Sequence, residues 1–201
     1  MNCDLIAPHY WWMERLGMGH ALERRRRWFL PETGDVRRAL VLGDGDGRFL
    51  RELLRRNAMV RANYVDLSSR MLELARRKAG DARVQYQQAD ALTAEFPPNE
   101  YDLIATHFFF DCFDQRELEI LIGRVAGGAR LRAKWIVSEF RTPNVAARLL
   151  VSALYLFFGI TTGLKTRKLV DHRPILQSQG FRLIKTSHSR GELVVSELWE
   201  R

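Results

Sequence analysis

The sequence predicts an α/β protein: a doubly wound, mostly parallel sheet whose last strand is antiparallel, with a helical cap ahead of it. Three observations carry this. An apolar run, Ala39 to Leu42, enters a glycine loop, Gly43-Asp44-Gly45-Asp46-Gly47, and continues with Phe49, Leu50, Leu53 and Leu54 at helical spacing. Four further strand-like segments alternate with helical ones, the pattern of parallel strands joined by crossover helices. Near the C-terminus Phe181 to Ser187 and Leu193 to Leu198 are strand-like and are joined by a short connection containing Gly191, a hairpin signature.

Residues 1–37 precede the first strand and hold a predicted helix from about Tyr10 to Phe29, closed by Pro31. We read them as a cap on a core at 38–201, all in one domain. After the glycine loop and its helix, Arg61 to Val65 reads as the second strand, ending in Asp66. Ser68 caps a helix that runs to about Lys78, with Gly80 as its stop. Val84 and Tyr86 alternate with polar residues in a third strand ending near Asp90, and Phe96 to Asn99 makes a proline-rich turn. Tyr101 to Thr106 is the fourth strand. Asp114 with Glu117 matches a capping box for a helix through about Val125, Gly127 and Gly128 read as a turn, and Leu131 to Phe140 is the fifth strand. A long apolar helix is expected from Val145 to Leu164.

Composition narrows the function. A chain of 201 residues that is 46% hydrophobic can bury a full core. Cys3 and Cys112 stand far apart with no metal-ligand spacing, so neither a disulfide framework nor a metal site is expected, in keeping with a reducing cytoplasm. Asp4, His9 and Glu14 interrupt the early residues, which therefore do not read as a secretory signal. The formal net charge is +8, with clusters at Arg24 to Arg27, Arg55 with Arg56, Arg76 to Lys78, and Lys165 to Lys168. Such clusters suit an anionic partner, but most fall on the outer faces of predicted helices, and no specific nucleic-acid motif accompanies them.

The loop itself selects a ligand. A dinucleotide fingerprint places its third glycine at the position held here by Arg48. A carboxylate about 6 Å from a phosphate costs on the order of 3 kcal/mol at an effective dielectric near 20, so a loop carrying Asp44 and Asp46 disfavours a pyrophosphate. It suits a ligand with ribose, adenine and positive charge but no phosphate.

With five strands, a terminal hairpin and this loop, the chain resembles the class I S-adenosylmethionine-dependent methyltransferases, from about Val36 to the C-terminus. The resemblance implies a Rossmann-like sheet of seven strands and S-adenosylmethionine as cofactor, released as S-adenosylhomocysteine. It implies that Gly43, Asp44, Gly45 and Gly47 pack on the methionine portion, because a β-carbon there blocks close approach. The family often has an acidic residue two positions before the first glycine; here Val41 stands there, which passes the ammonium group to Asp44 or Asp46. Asp66 is placed to accept both ribose hydroxyls, Leu67 and Met71 to flank the adenine, and Asp90 with Ala91 to read its edge.

Thr106 closes the fourth strand and His107, Phe108, Phe109, Phe110 and Asp111 follow, at the sheet end where α/β proteins bind ligands. Methyl transfer from a sulfonium needs a base only when the nucleophile carries a proton, and His107 is the candidate. Phe108, Phe109, Asp111, Arg141, Tyr10 and Trp11 are candidate acceptor contacts, with Trp12 beside them. T-H-F-F in place of [N/D/S]-P-P-[Y/F/W] removes the specific support for amine methylation on bases. Leu149 to Ile160 is almost continuously apolar, too short for a membrane span, and reads as a sheet-covering helix or as a lid touching a membrane surface. The expectation is O- or C-methylation of a small hydrophobic or aromatic acceptor; an RNA methyltransferase, an NAD(P)-dependent oxidoreductase and a non-catalytic cofactor-binding module are the alternatives.

Overall fold

The computed structural model describes residues 19–80, 82–145, 147–149 and 169–201. Seven strands, β1 (Arg38–Leu42), β2 (Arg61–Asp66), β3 (Val84–Gln88), β4 (Tyr101–His107), β5 (Ala129–Phe140), β6 (Arg182–His188) and β7 (Val194–Glu200), form one sheet in the order β3-β2-β1-β4-β5-β7-β6. β1 pairs in parallel with β2 and β4, β2 with β3, and β4 with β5, while β7 runs antiparallel to both β5 and β6. This is the Rossmann-like arrangement that the alternation of elements and the terminal hairpin predict.

Strand alternation divides the core between the two faces of the sheet. Leu40, Leu42, Ile104, Trp135, Val137 and Trp199 face α4 (Gln115–Gly128) and the short α5 (Arg173–Ser178). Ala39, Val41, Tyr64, Ala105, Ile136 and Leu198 face the other way, where Phe49, Leu50 and Leu53 of α2 (Arg48–Arg56) cover them. The helix α1 (Gly19–Arg26) lies on that second face, where the Arg25 carbonyl accepts the hydroxyls of Ser138 and Ser196 at 3.3 and 2.9 Å. Two serines buried in the middle of the sheet are thereby satisfied.

Local signals hold at several ends. The Ser68 hydroxyl accepts the Met71 N–H at 3.1 Å at the start of α3 (Ser69–Ala79), and Asp114 and Glu117 form the reciprocal capping box of α4. One expectation is corrected: Gly127 and Gly128 end α4 and lead straight into β5, with no turn of their own. A β-carbon on Gly128 would press on the Tyr101 ring at 3.1 Å, so glycine serves close packing there. The expected Tyr10 to Phe29 helix is described only as α1, and the expected helix at 145–164 lies almost wholly outside the described residues.

The chain winds outward through β1, β2 and β3 and then returns to pair β4 on the other side of β1. This reversal leaves a crevice beyond the carboxyl ends of β1 and β4, where the glycine loop and residues 108–113 emerge side by side.

Candidate functional site

Gly43, Gly45 and Gly47 take φ of 62°, 63° and 77°, left-handed values that disfavour any side chain, and this lets the loop turn from β1 into α2 within five residues. The Tyr64 hydroxyl donates to the Gly45 carbonyl at 2.6 Å and pins the loop to β2. A β-carbon on Gly43 would run into the Phe109 ring, so the first glycine is a cradle on which that ring lies. A β-carbon on Gly47 would come within 2.8 Å of the Ala75 β-carbon; the third glycine brings α2 against α3.

Beside the loop is a hollow of about 110 Å³ lined by Gly43, Gly45, Val65, Asp66, Leu67, Met71, Ala89, Asp90, Ala91, Phe108, Phe109, Cys112 and Phe113. It brings together residues from the ends of β1, β2, β3 and β4, among them seven of the expected cofactor residues. Its chemistry suits an adenosyl group: two carboxyl-bearing side chains, Asp66 and Asp90, stand among apolar and aromatic surfaces, with a glycine cradle at one end. Asp66 Oδ1 accepts the Ser68 N–H and Asp90 Oδ1 the Leu92 N–H, both at 2.9 Å, which sets the two carboxyl groups in fixed directions.

Several expected residues are elsewhere. The carboxyl groups of Asp44 and Asp46 turn away from the hollow. Asp44, 1% exposed, accepts the Leu50 N–H at 3.1 Å beneath the first turn of α2. Burial pushes it up to about 7, against the pull of the Arg26 guanidinium. Asp46 is held by the Arg48 guanidinium at 3.1 Å and by the Lys78 ammonium. The expectation that either meets the cofactor's ammonium group is therefore corrected: the unpaired N–H groups of a helix start and two basic side chains have taken them instead. Thr106 is also behind the wall, its hydroxyl accepting the Trp135 indole N–H at 3.0 Å.

His107 is 1% exposed and faces away from the hollow, its ring 4.5 Å from that of Phe49. Neither ring nitrogen has a hydrogen-bond partner among the described residues. Burial, with the Arg26 cation adding to it, holds its pKa well below the ordinary histidine value, so the ring is neutral. As the base it is in the wrong place, because alternation along β4 sends Thr106 to one face and His107 to the other. Asp111 is half-buried behind Cys112, outside the hollow, and burial raises it to about 6 while the Cys112 thiol, donating at 3.5 Å, opposes the rise. Arg141 lines a different hollow. Tyr10, Trp11 and Trp12 lie outside the described residues.

Two carboxylates went unread in the sequence. Glu139, 3% exposed at the end of β5, accepts the N–H groups of Phe109 and Phe110 on one oxygen at 3.0 and 2.9 Å. Its pKa is pushed well above the ordinary glutamate value, by burial first and then by Asp111. These bonds, with Phe108 N–H to the Ser138 carbonyl at 2.7 Å, hold Phe108 at a φ of 54°, a left-handed value costly for a phenylalanine. Glu197 of β7 is fully buried. It bonds His172 at 2.9 Å, Arg173 at 2.8 and 2.6 Å, and the Trp199 indole N–H at 3.0 Å. Burial alone would raise it, but the His172 and Arg173 contacts win and hold it at about 2. Both glutamates stand next to short apolar runs, Trp135 to Val137 before Glu139 and Leu198 with Trp199 after Glu197, but neither run by itself marks the carboxyl group as enclosed.

The fold, the left-handed glycine loop and the crevice at the switch point define a methyltransferase of the S-adenosylmethionine type. A family model described as a methyltransferase domain matches residues 39–128. A demethylmenaquinone methyltransferase of Thermus thermophilus is 34% identical over 157 residues, covering 75% of this chain and 69% of the other. The chain belongs to the class I S-adenosylmethionine-dependent methyltransferases and is an enzyme that takes its methyl group from that cofactor. Solved structures agree in fold. An S-adenosylmethionine-dependent methyltransferase from Mesorhizobium loti superposes with a TM-score of 0.72 at 19% identity, over 90% of this chain and 98% of its own. The N-methyltransferase NodS of Bradyrhizobium japonicum, in complex with S-adenosyl-l-homocysteine, does so with 0.68 at 15% identity, over 89% and 87%.

Among the described residues no helix is long and apolar enough to cross a membrane. None of them form a group of three or more His, Cys, Asp or Glu placed to hold a metal ion.

Proposed function

We propose that the enzyme methylates a small hydrophobic or aromatic acceptor at oxygen or carbon, with the cofactor lying across the hollow beside the glycine loop. In this reading Asp66 accepts the ribose hydroxyls and Asp90 with Ala91 meets the purine edge. Leu67, Met71 and Phe113 flank the base, and Gly43 and Gly45 carry the methionine portion. The observation that carries the acceptor class is the aromatic wall at the carboxyl end of β4 and β5. Phe108 and Phe140 pack at 4.9 Å between ring centroids, and Phe109 and Phe113 at 5.1 Å, so an approaching acceptor meets ring faces and edges. The Thermus relative, whose name gives a quinone-type acceptor, points the same way.

The basic charge favours a small molecule over RNA in this reading. Among the described residues Arg27, Arg55, Arg77, Lys78, Arg130 and Lys134 are each paired with a carboxylate, so part of the positive charge is already neutralised within the protein. The test is transfer of labelled methyl from S-adenosylmethionine to a panel of phenols, hydroquinones, aliphatic amines and a structured RNA. Labelling confined to the phenolic or quinol members supports the reading; labelling of only the amines or the RNA refutes it.

A further inference from the structure

A second hollow, of about 260 Å³, opens at the same end of the sheet between the end of β5 and residues 169–173. Its walls include Phe140, Arg141, Pro143, Val170, His172 and Val195. The two hollows are neighbours, because the ring of Phe108 in the first packs on that of Phe140 in the second. A volume this size is near the lower end of ligand pockets and suits one aromatic ring with its substituents.

Charge decides what the second hollow accepts. Glu197, its buried carboxylate, is engaged by His172, Arg173 and Trp199. Asp171 is exposed and its carboxylate accepts the Arg173 N–H at 3.1 Å. Arg141 differs from the other charged groups here. It is half-buried, its side chain meets the ring nitrogen Nδ1 of His188 at 3.4 Å, and among the described residues no other side chain and no carboxylate pairs with it. A guanidinium in a partly dry wall, with most of its N–H donors unengaged by side chains among the described residues, is a fork for a carboxylate.

We propose that this second hollow seats the methyl acceptor and that Arg141 binds a carboxylate on it, so that the substrate is an aromatic acid. The inference rests on the reading of an aromatic acceptor above and gives it a charge and a place. The ring lies against Phe140, the carboxylate on Arg141, and the edge to be methylated faces the Phe108 wall of the cofactor hollow.

The test uses benzoate and its neutral counterpart benzamide as probes, titrated by ligand-observed NMR into enzyme saturated with S-adenosylhomocysteine. The wild-type enzyme binds benzoate about tenfold more tightly than benzamide, and added salt narrows the gap. Arg141→Gln removes the preference while leaving benzamide binding and the thermal shift with S-adenosylhomocysteine intact, and Arg141→Lys keeps part of it. Equal binding of the two probes by the wild type, binding of neither, or an undiminished preference in Arg141→Gln overturns the proposal. Each of those results leaves the aromatic-acceptor reading to the methyl-transfer panel, which scores neutral phenols and quinols independently.

Discussion

The carboxyl group of Glu139 takes the N–H of Phe109 at 3.0 Å, and so the end of β5 holds in place the residue whose ring lies on Gly43. Its pKa is driven upward by burial and by Asp111, and glutamine keeps the carbonyl oxygen that accepts the two N–H groups without the charge that burial disfavours. Glu139→Gln should lose under about 1 kcal/mol of stability, whereas Glu139→Ala should lose about 2 kcal/mol and weaken S-adenosylhomocysteine about tenfold as the Phe108–Phe113 loop loosens. Denaturant titration and isothermal calorimetry on both variants check this; equal losses in the two would refute it.

Gly43 and Phe109 should behave as one unit. Gly43→Ala adds a methyl group at a φ of 62° and against the Phe109 ring, and is expected to cost about 1 to 2 kcal/mol in φ alone, with more from the collision. In Phe109→Ala the collision is gone, so the double variant should recover at least about 1 kcal/mol relative to additivity. A double-mutant cycle on stability measures the coupling, and strict additivity would contradict the contact.

Asp44 gives the protein a pH dependence. Its carboxyl binds a proton more tightly in the folded state, at about 7 against the ordinary aspartate value of 3.8. Folded protein therefore holds the extra proton between these values, and stability falls as pH rises from about 4 to 7, by up to about 4 kcal/mol. Asp44→Asn, which can still accept the Leu50 N–H, should flatten that part of the curve. Unfolding free energies of the two proteins at pH 4.5 and 7.5 give the comparison.

Glu197 runs the other way. Held at about 2, it contributes stability that is complete above about 4.5 and is lost as pH falls toward 2. Glu197→Ala leaves His172, Arg173 and the Trp199 indole facing a void in the sheet, and should cost about 3 to 5 kcal/mol. A midpoint in urea within error of wild type would show the cluster to be dispensable.

Asp66 tests the cofactor placement. With S-adenosylhomocysteine at a hundredfold its dissociation constant, the wild type should gain about 2.7 kcal/mol of stability, and Asp66→Ala should lose most of that gain while remaining folded. An unchanged thermal shift in the variant would remove Asp66 from the ribose.

What could be read in advance was local. The glycine loop, the Ser68 cap, the Asp114 and Glu117 box and the hairpin at Gly191 each specify their geometry within a few residues, and each is present. The directions of Asp44, Asp46 and His107 depend on what the far side of the sheet offers. Asp44 finds the first turn of α2, Asp46 finds Lys78 from thirty-two positions away, and His107 finds Phe49. Glu139 and Glu197 look like surface residues in a list of amino acids, and only strand pairing reveals that both are enclosed.

The position of β7 has a consequence for how the molecule assembles. β6 is bonded to the rest of the sheet only through β7, and β7 meets β5 by pairing Val194 with Phe140 across a long stretch of chain. Closing so large a loop is entropically slow, so we expect the hairpin to dock as a unit on a platform formed by β1 to β5. Trp135 pairs with Trp199 and Val137 with Glu197, and Val195 and Glu197 line the second hollow, so the docking that completes the sheet also completes that wall.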